Sequence, residues 1–173
     1  EGLWLHVDAA YGGAARLSGR DAHRVPGLER ADSVTVDPHK WFFQAYDIGG
    51  LLLRDGRHLE ATFGYTPEYY RGSGDPGRAP DAHGGAELDF YRLSMEGTRR
   101  LRALKLWLSW KHLGTAGLGR LVERTVDLAD ELKARIVASD DLELAPESSL
   151  SVVCFRHLPG GRDGDDSAAR DEI

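Results

Sequence analysis

Two apolar runs that each stop on a charged side chain set the tightest limit on how this chain folds. Leu3-Trp4-Leu5-His6-Val7 ends on Asp8, and Ser33-Val34-Thr35-Val36 leads into Asp37-Pro38-His39-Lys40-Trp41. Between them Ala14 to Arg30 is polar, punctuated by Pro26-Gly27 and carrying a short helical piece at Leu28 to Arg30. The whole reads as strand, crossover, strand. A right-handed crossover returns the chain to the sheet edge at which it began. Asp8 and Lys40 are therefore expected at one carboxyl edge of neighbouring parallel strands, where ligands of α/β sheets bind.

The remaining elements follow from periodicity and punctuation. Leu3 to Val7 has the near-continuous apolar character of a strand covered on both faces. Ala9 to Gly13 is small enough for the backbone to lie close against a flat ligand. Trp41 to Tyr46 is an aromatic turn and Ile48 to Leu53 a third strand, which the turn signal Asp55-Gly56 allows to pair antiparallel with its neighbour. Gly64 to Glu87 holds six glycines, three prolines and the tyrosines 65, 69 and 70, so it is either a linker or a mobile active-site loop. Ser94 to Leu113 is expected to be helical, with Ser94 as N-cap and Leu101, Leu104 and Leu108 as its apolar stripe. Gly114 and Gly117 are expected to break it. A second helix, Leu118 to Val137, sets Leu118, Leu121, Val122, Thr125, Ala129, Leu132 and Ile136 on one face, with a Glu131–Arg135 pair. Leu142 to Ala145 and Leu150 to Phe155 read as strands, and Pro159 to Asp166 as an exposed loop. The expectation is an α/β large domain over residues 1–138, then the start of a smaller α+β domain over 139–173. Both ends read as cut within a longer protein, the second on the unfinished helical pattern from Ser167 to Ile173.

Composition narrows the function. With a net charge of −6 and no basic block, the chain lacks the electrostatic footprint of a nucleic-acid binder. No apolar run nears the ~20 residues that span a bilayer. Cys154 is the only cysteine, which rules out an intrachain disulfide and fits a reducing, cytoplasmic setting. His6, His23 and His39 have no further ligands at metal-binding spacing, so no metal centre is expected. Of 22 basic residues only Lys40, Lys105, Lys111 and Lys133 are lysines, and lysine, unlike arginine, can lose its proton to become a nucleophile.

A lysine amine condenses with an aldehyde, and pyridoxal phosphate is the common cofactor that uses one. Such a cofactor needs a carboxylate at its pyridine nitrogen, so that the ring can accept the electron pair released at the substrate Cα. Asp8 and Lys40 supply both groups. The runs His6-Val7-Asp8-Ala9-Ala10-Tyr11, Ala31-Asp32-Ser33, Asp37-Pro38-His39-Lys40-Trp41, Arg99-Arg100 and Ala103-Leu104-Lys105-Leu106-Trp107 together resemble the group II pyridoxal-phosphate-dependent decarboxylases. These are the aromatic-L-amino-acid, histidine and glutamate decarboxylases, and the resemblance runs in order to about Phe155.

The resemblance implies a fold-type-I, transferase-like large domain and a homodimer with a shared active site. It implies a small amino-acid substrate, aromatic as a first choice, and release of the amine and CO2. Lys40 would carry the cofactor as a Schiff base, Asp8 would pair with the pyridine nitrogen, Ala10 would pack on the ring, and His39 would lie beside the phosphate. Tyr69, in Pro67-Glu68-Tyr69, would be the mobile-loop tyrosine that returns a proton after CO2 leaves, favouring simple decarboxylation over oxidative aldehyde formation. Asp37 joins the cofactor-binding candidates, standing where animal aromatic decarboxylases have an asparagine, a change that bears on any phosphate contact there. The family's ring-stacking histidine and main phosphate-binding loop would precede Glu1, so the fragment alone is expected to be inactive. The rival readings are an aldehyde synthase or aminotransferase of the same fold, and a catalytically silent homologue.

Overall fold

The computed structural model describes residues 2–65, 90–146 and 149–161. The fold is α/β. Strand β1 (His6–Asp8) pairs in parallel with β2 (Ser33–Val36), setting His6 opposite Ser33 and Asp8 opposite Thr35. The crossover between them is built from three short 3-10 turns, Gly12–Leu17, Ala22–Arg24 and Leu28–Arg30. β3 (Gly50–Leu53) pairs antiparallel with β2, giving the order β1-β2-β3. The reversal that makes this pair lies in residues 37–49. Asp55-Gly56 instead opens a helix, α1 (Arg57–Phe63), where the Asp55 carboxylate accepts the Arg57 N–H at 3.0 Å.

The long helix α2 (Ala103–Ala138) has two halves that meet at Gly114, whose φ of 66° is a conformation that favours glycine. Gly117 lies buried within the second half and breaks nothing. That half packs on the Gly12–Leu17 turn, and the core there comprises Ala14, Ala15, Trp41, Phe42, Val122 and Val126. Gly119 permits the approach, since a Cβ at that position would fall 2.3 Å from the Leu17 carbonyl oxygen. The Glu131–Arg135 ion pair forms as expected, at 2.5 Å.

Several expectations need correction. Leu3, Trp4 and Leu5 are exposed and precede β1 proper, because α2 covers the crossover and not this edge of the sheet. Ser94 is no N-cap. Its hydroxyl bonds the Glu96 carbonyl, and the helix begins only at Ala103. Non-helical contacts hold the intervening chain: Arg99 lies over the Phe90 ring, and Arg102 reaches both Asp47 and Glu96. The stripe Leu101, Leu104 and Leu108 is consequently exposed. On the second half Leu118, Val122, Ala129 and Ile136 are buried as expected, together with Val126, whereas Leu121 and Leu132 form an exposed rim. After α2 a two-stranded antiparallel unit joins β4 (Leu142–Leu144) to β5 (Phe155–His157). The second of these strands starts five residues later than expected, because Leu150, at φ 53°, sits in a turn. Among the described residues no helix is long and apolar enough to cross a membrane.

Candidate active site

The parallel pairing of β1 with β2 carries Asp8 and the 37–41 turn to the same sheet edge. Three backbone bonds fix that edge: Ala9 N–H to the Thr35 carbonyl at 3.0 Å, Asp37 N–H to the Ala10 carbonyl at 3.1 Å, and Lys40 N–H to the Asp37 carbonyl at 2.9 Å. Asp8 is exposed, and among the described residues the Ala10 N–H, at 3.0 Å, is the one hydrogen-bond donor to its carboxylate. Ala10 is half-buried beside it. Gly13 keeps this turn tight, since a Cβ there would meet Ala9 and Val36 at 3.2 and 3.3 Å.

Lys40 forms an ion pair with Asp37, Nζ to Oδ2, at 2.8 Å. The hydrogen bond to Asp37 holds the Lys40 ammonium above the usual lysine range, with partial desolvation opposing and the negative charges of Asp37 and Asp8 adding to it. His39 is half-buried, its Nδ1 bonded to the Ile48 carbonyl and its ring tilted against Tyr46 at 4.3 Å between centroids. Asp8, Ala10, Asp37, His39 and Lys40 thus share one edge. Tyr69 lies outside the described residues.

Several neighbours escaped the sequence reading. Trp41 is buried, donates its indole N–H to Thr125 at 2.7 Å and stacks flat on Tyr11 at 4.8 Å. Tyr11 in turn bonds Ser151, tying the cofactor-side turn to the segment after α2. From α2, Lys105 caps the carbonyls of Ala45 and Tyr46 at 2.9 and 3.0 Å and Ser109 bonds Gln44, and Arg102, just before the helix, pairs with Asp47. The helix therefore clamps the loop that follows Lys40. The Ala103-Leu104-Lys105-Leu106-Trp107 run carried part of this signal, but its partners lie some 60 residues away and only the fold brings them together.

The sheet edge thus presents a carboxylate and an amine from adjacent parallel strands, with small residues between. The match to known proteins is specific. Residues 1–158 match the family model described as the pyridoxal-dependent decarboxylase conserved domain, and the chain belongs to that family, whose cofactor is pyridoxal phosphate. It is 38% identical over 159 residues to an aromatic-L-amino-acid decarboxylase of Bacillus atrophaeus, covering 92% of this chain and 32% of that protein. It is 36% identical to an L-2,4-diaminobutyrate decarboxylase of Acinetobacter baumannii, covering 92% and 30%. Its fold superposes on the crystal structure of Oryza sativa TDC with PLP and tryptamine at a TM-score of 0.77 and 31% identity, over 92% of this chain and 31% of that one. The chain spans about a third of the length of these relatives.

The residues present fit the cofactor. Asp8 keeps one carboxylate oxygen open to a protonated ring nitrogen, and Lys40, 44% exposed, presents an amine that an aldehyde can reach.

Proposed function

We propose that the protein containing this chain decarboxylates an L-amino acid, aromatic by preference, to the amine and CO2. The observation that carries the reading is the placement of Asp8 and Lys40 at one edge of a parallel strand pair, within a chain of the pyridoxal-dependent decarboxylase family. Pyridoxal phosphate, when bound, supplies an electron sink for the pair left on the substrate Cα as its carboxylate departs. Lys40 would hold the cofactor through its amine, Asp8 would hold a proton on the ring nitrogen, Ala10 would give the ring a small surface, and His39, its ring set by Ile48 and Tyr46, would stand beside the phosphate. Tyr69 returns a proton to the substrate Cα, which favours the amine over an aldehyde product. The same reading makes residues 1–138 the C-terminal part of the cofactor-binding domain and 139–173 the start of a second domain, with the active site completed at a homodimer interface.

The test is CO2 release by the full-length protein across a panel of aromatic, acidic and diamino acids, with amine, aldehyde and peroxide measured together. Amine formed in step with CO2 from an aromatic amino acid supports the proposal. Aldehyde with peroxide, or no CO2 from any amino acid, overturns it.

A further inference from the structure

We propose that Asp37 is the resting partner of the cofactor lysine: it receives the Lys40 ammonium whenever that amine is not bonded to an aldehyde, and so sets how readily the lysine attaches and lets go. This rests on the reading of Lys40 as the cofactor lysine. The geometry comes from both backbone and side chains. The Lys40 N–H bonds the Asp37 carbonyl at 2.9 Å, closing a turn that brings Nζ to 2.8 Å from Oδ2. The Asp37 N–H is itself tied to Ala10 at 3.1 Å, so the carboxylate is anchored to β1 beside Asp8. Gly49 stands on the side of its other oxygen, where an added Cβ would come within 3.3 Å of it. The carboxylate, at 20% exposure, is better shielded than the lysine it pairs with.

The groups that face the amine are Asp37 on its own turn, Asp8 from β1 and Tyr46 from the following loop. The imidazole of His39 turns its Nδ1 to Ile48 instead. The amine's charged neighbours are thus acidic and favour the ammonium, against a partial desolvation that opposes it. A carboxylate at position 37 also repels a phosphate, which argues for an ammonium partner there and against a cofactor-phosphate contact. Attachment of Lys40 to an aldehyde forms a carbon–nitrogen double bond and expels one water, and only the neutral amine can begin it. The ammonium must therefore first give its proton to solvent. When a substrate amine takes the lysine's place, the released lysine takes up a proton and returns to Asp37.

The experiment uses the full-length protein freed of cofactor. Competitive acetylation with acetic anhydride, read at the Lys40 peptide by mass spectrometry, measures how much of the amine is neutral at about pH 8. Asp37→Asn is expected to label Lys40 about two- to fivefold faster than the parent, the range that a part-exposed ion pair is worth. Asp37→Glu is expected to restore slow labelling. Uptake of pyridoxal phosphate should quicken by a similar factor in Asp37→Asn alone. A second measurement needs no variant: added salt weakens an ion pair, so Lys40 labelling in the unaltered protein should rise with salt. Lys105, bonded to neutral carbonyls, should not follow. Equal labelling in Asp37→Asn and parent, or a Lys40 rate indifferent to salt, overturns the proposal. Because acetylation is read without cofactor, its failure is separate from any failure of Lys40 to bond pyridoxal phosphate.

Discussion

Replacing Gly119 with alanine tests the packing that holds the lysine turn in place. The new Cβ would lie 2.3 Å from the Leu17 carbonyl oxygen, against an ordinary carbon–oxygen contact of about 3.3 Å. The helix or the Gly12–Leu17 turn must therefore retreat by about 1 Å. The obstacle is backbone in a tight turn, so no side chain can swing aside. A retreat of that size forfeits about a quarter to a half of each dispersion contact it opens, here those of Val122 and Val126 with Ala14 and Ala15. Overpacking of this kind costs about 2–3 kcal/mol, and alanine's better helix propensity returns about 1 kcal/mol. The net loss is about 1–2 kcal/mol, which lowers a urea midpoint by about 0.5–1 M at an m-value of about 2 kcal/mol/M. Tryptophan fluorescence during urea unfolding measures it, with Gly19→Ala as control, because a Cβ at Gly19 meets nothing within 4 Å. A Gly119→Ala midpoint at or above that of the parent would refute the claim that α2 and the crossover meet backbone to backbone.

Other expectations follow from the same contacts. Trp41→Phe removes the indole donor to Thr125 and part of a buried ring, and should cost about 1–2 kcal/mol in thermal or urea unfolding; an unchanged midpoint contradicts the role of Trp41 as the joint between turn and helix. Asp8→Asn should lower the decarboxylation rate of the full-length protein about 100-fold or more while leaving cofactor attachment intact, the scale for losing a group aimed at developing charge. Near-parent turnover would remove Asp8 from the chemistry. Asp55 is held at about 2 by the side-chain and backbone hydrogen bonds from Arg57. Its folded value lies below the unfolded one, so its contribution to the start of α1 is complete above about pH 4 and is lost as pH falls toward 2. A carboxyl NMR titration should place the Asp55 midpoint near 2 and show it rising in Arg57→Ala; no rise contradicts the assignment.

What could be read from the sequence was local or motif-borne. The parallel pairing of β1 with β2 and the shared edge of Asp8 and Lys40 followed from two apolar runs and a crossover, because handedness leaves few alternatives, whereas Ala10, Asp37 and His39 were singled out by the motifs around them. The start of α2 was misplaced because Leu101, Leu104 and Leu108 carry helical spacing, while Arg99 and Arg102 are held out of the helix by Phe90, Asp47 and Glu96. Val126 was missed although it occupies a helical interval from Val122, for the broad apolar face left its centre undefined. The Lys105 clamp on Ala45 and Tyr46 and the Tyr11–Ser151 bond join residues 59 to 140 positions apart, and no periodicity signals such pairs. The Lys40–Asp37 ion pair lay in plain view at i,i+3 spacing. In the motif Asp37 stands out only as a departure from asparagine beside a phosphate, and its partner in the fold is the neighbouring ammonium.

The most direct test of the central claim is to locate the cofactor's bond. The full-length protein is loaded with pyridoxal phosphate, reduced with borohydride to make the attachment permanent, digested, and mapped by mass spectrometry. A phosphopyridoxyl group is expected on the peptide that contains Lys40, and its loss in Lys40→Ala. Stoichiometric label on any other lysine, or undiminished label in Lys40→Ala, would contradict it.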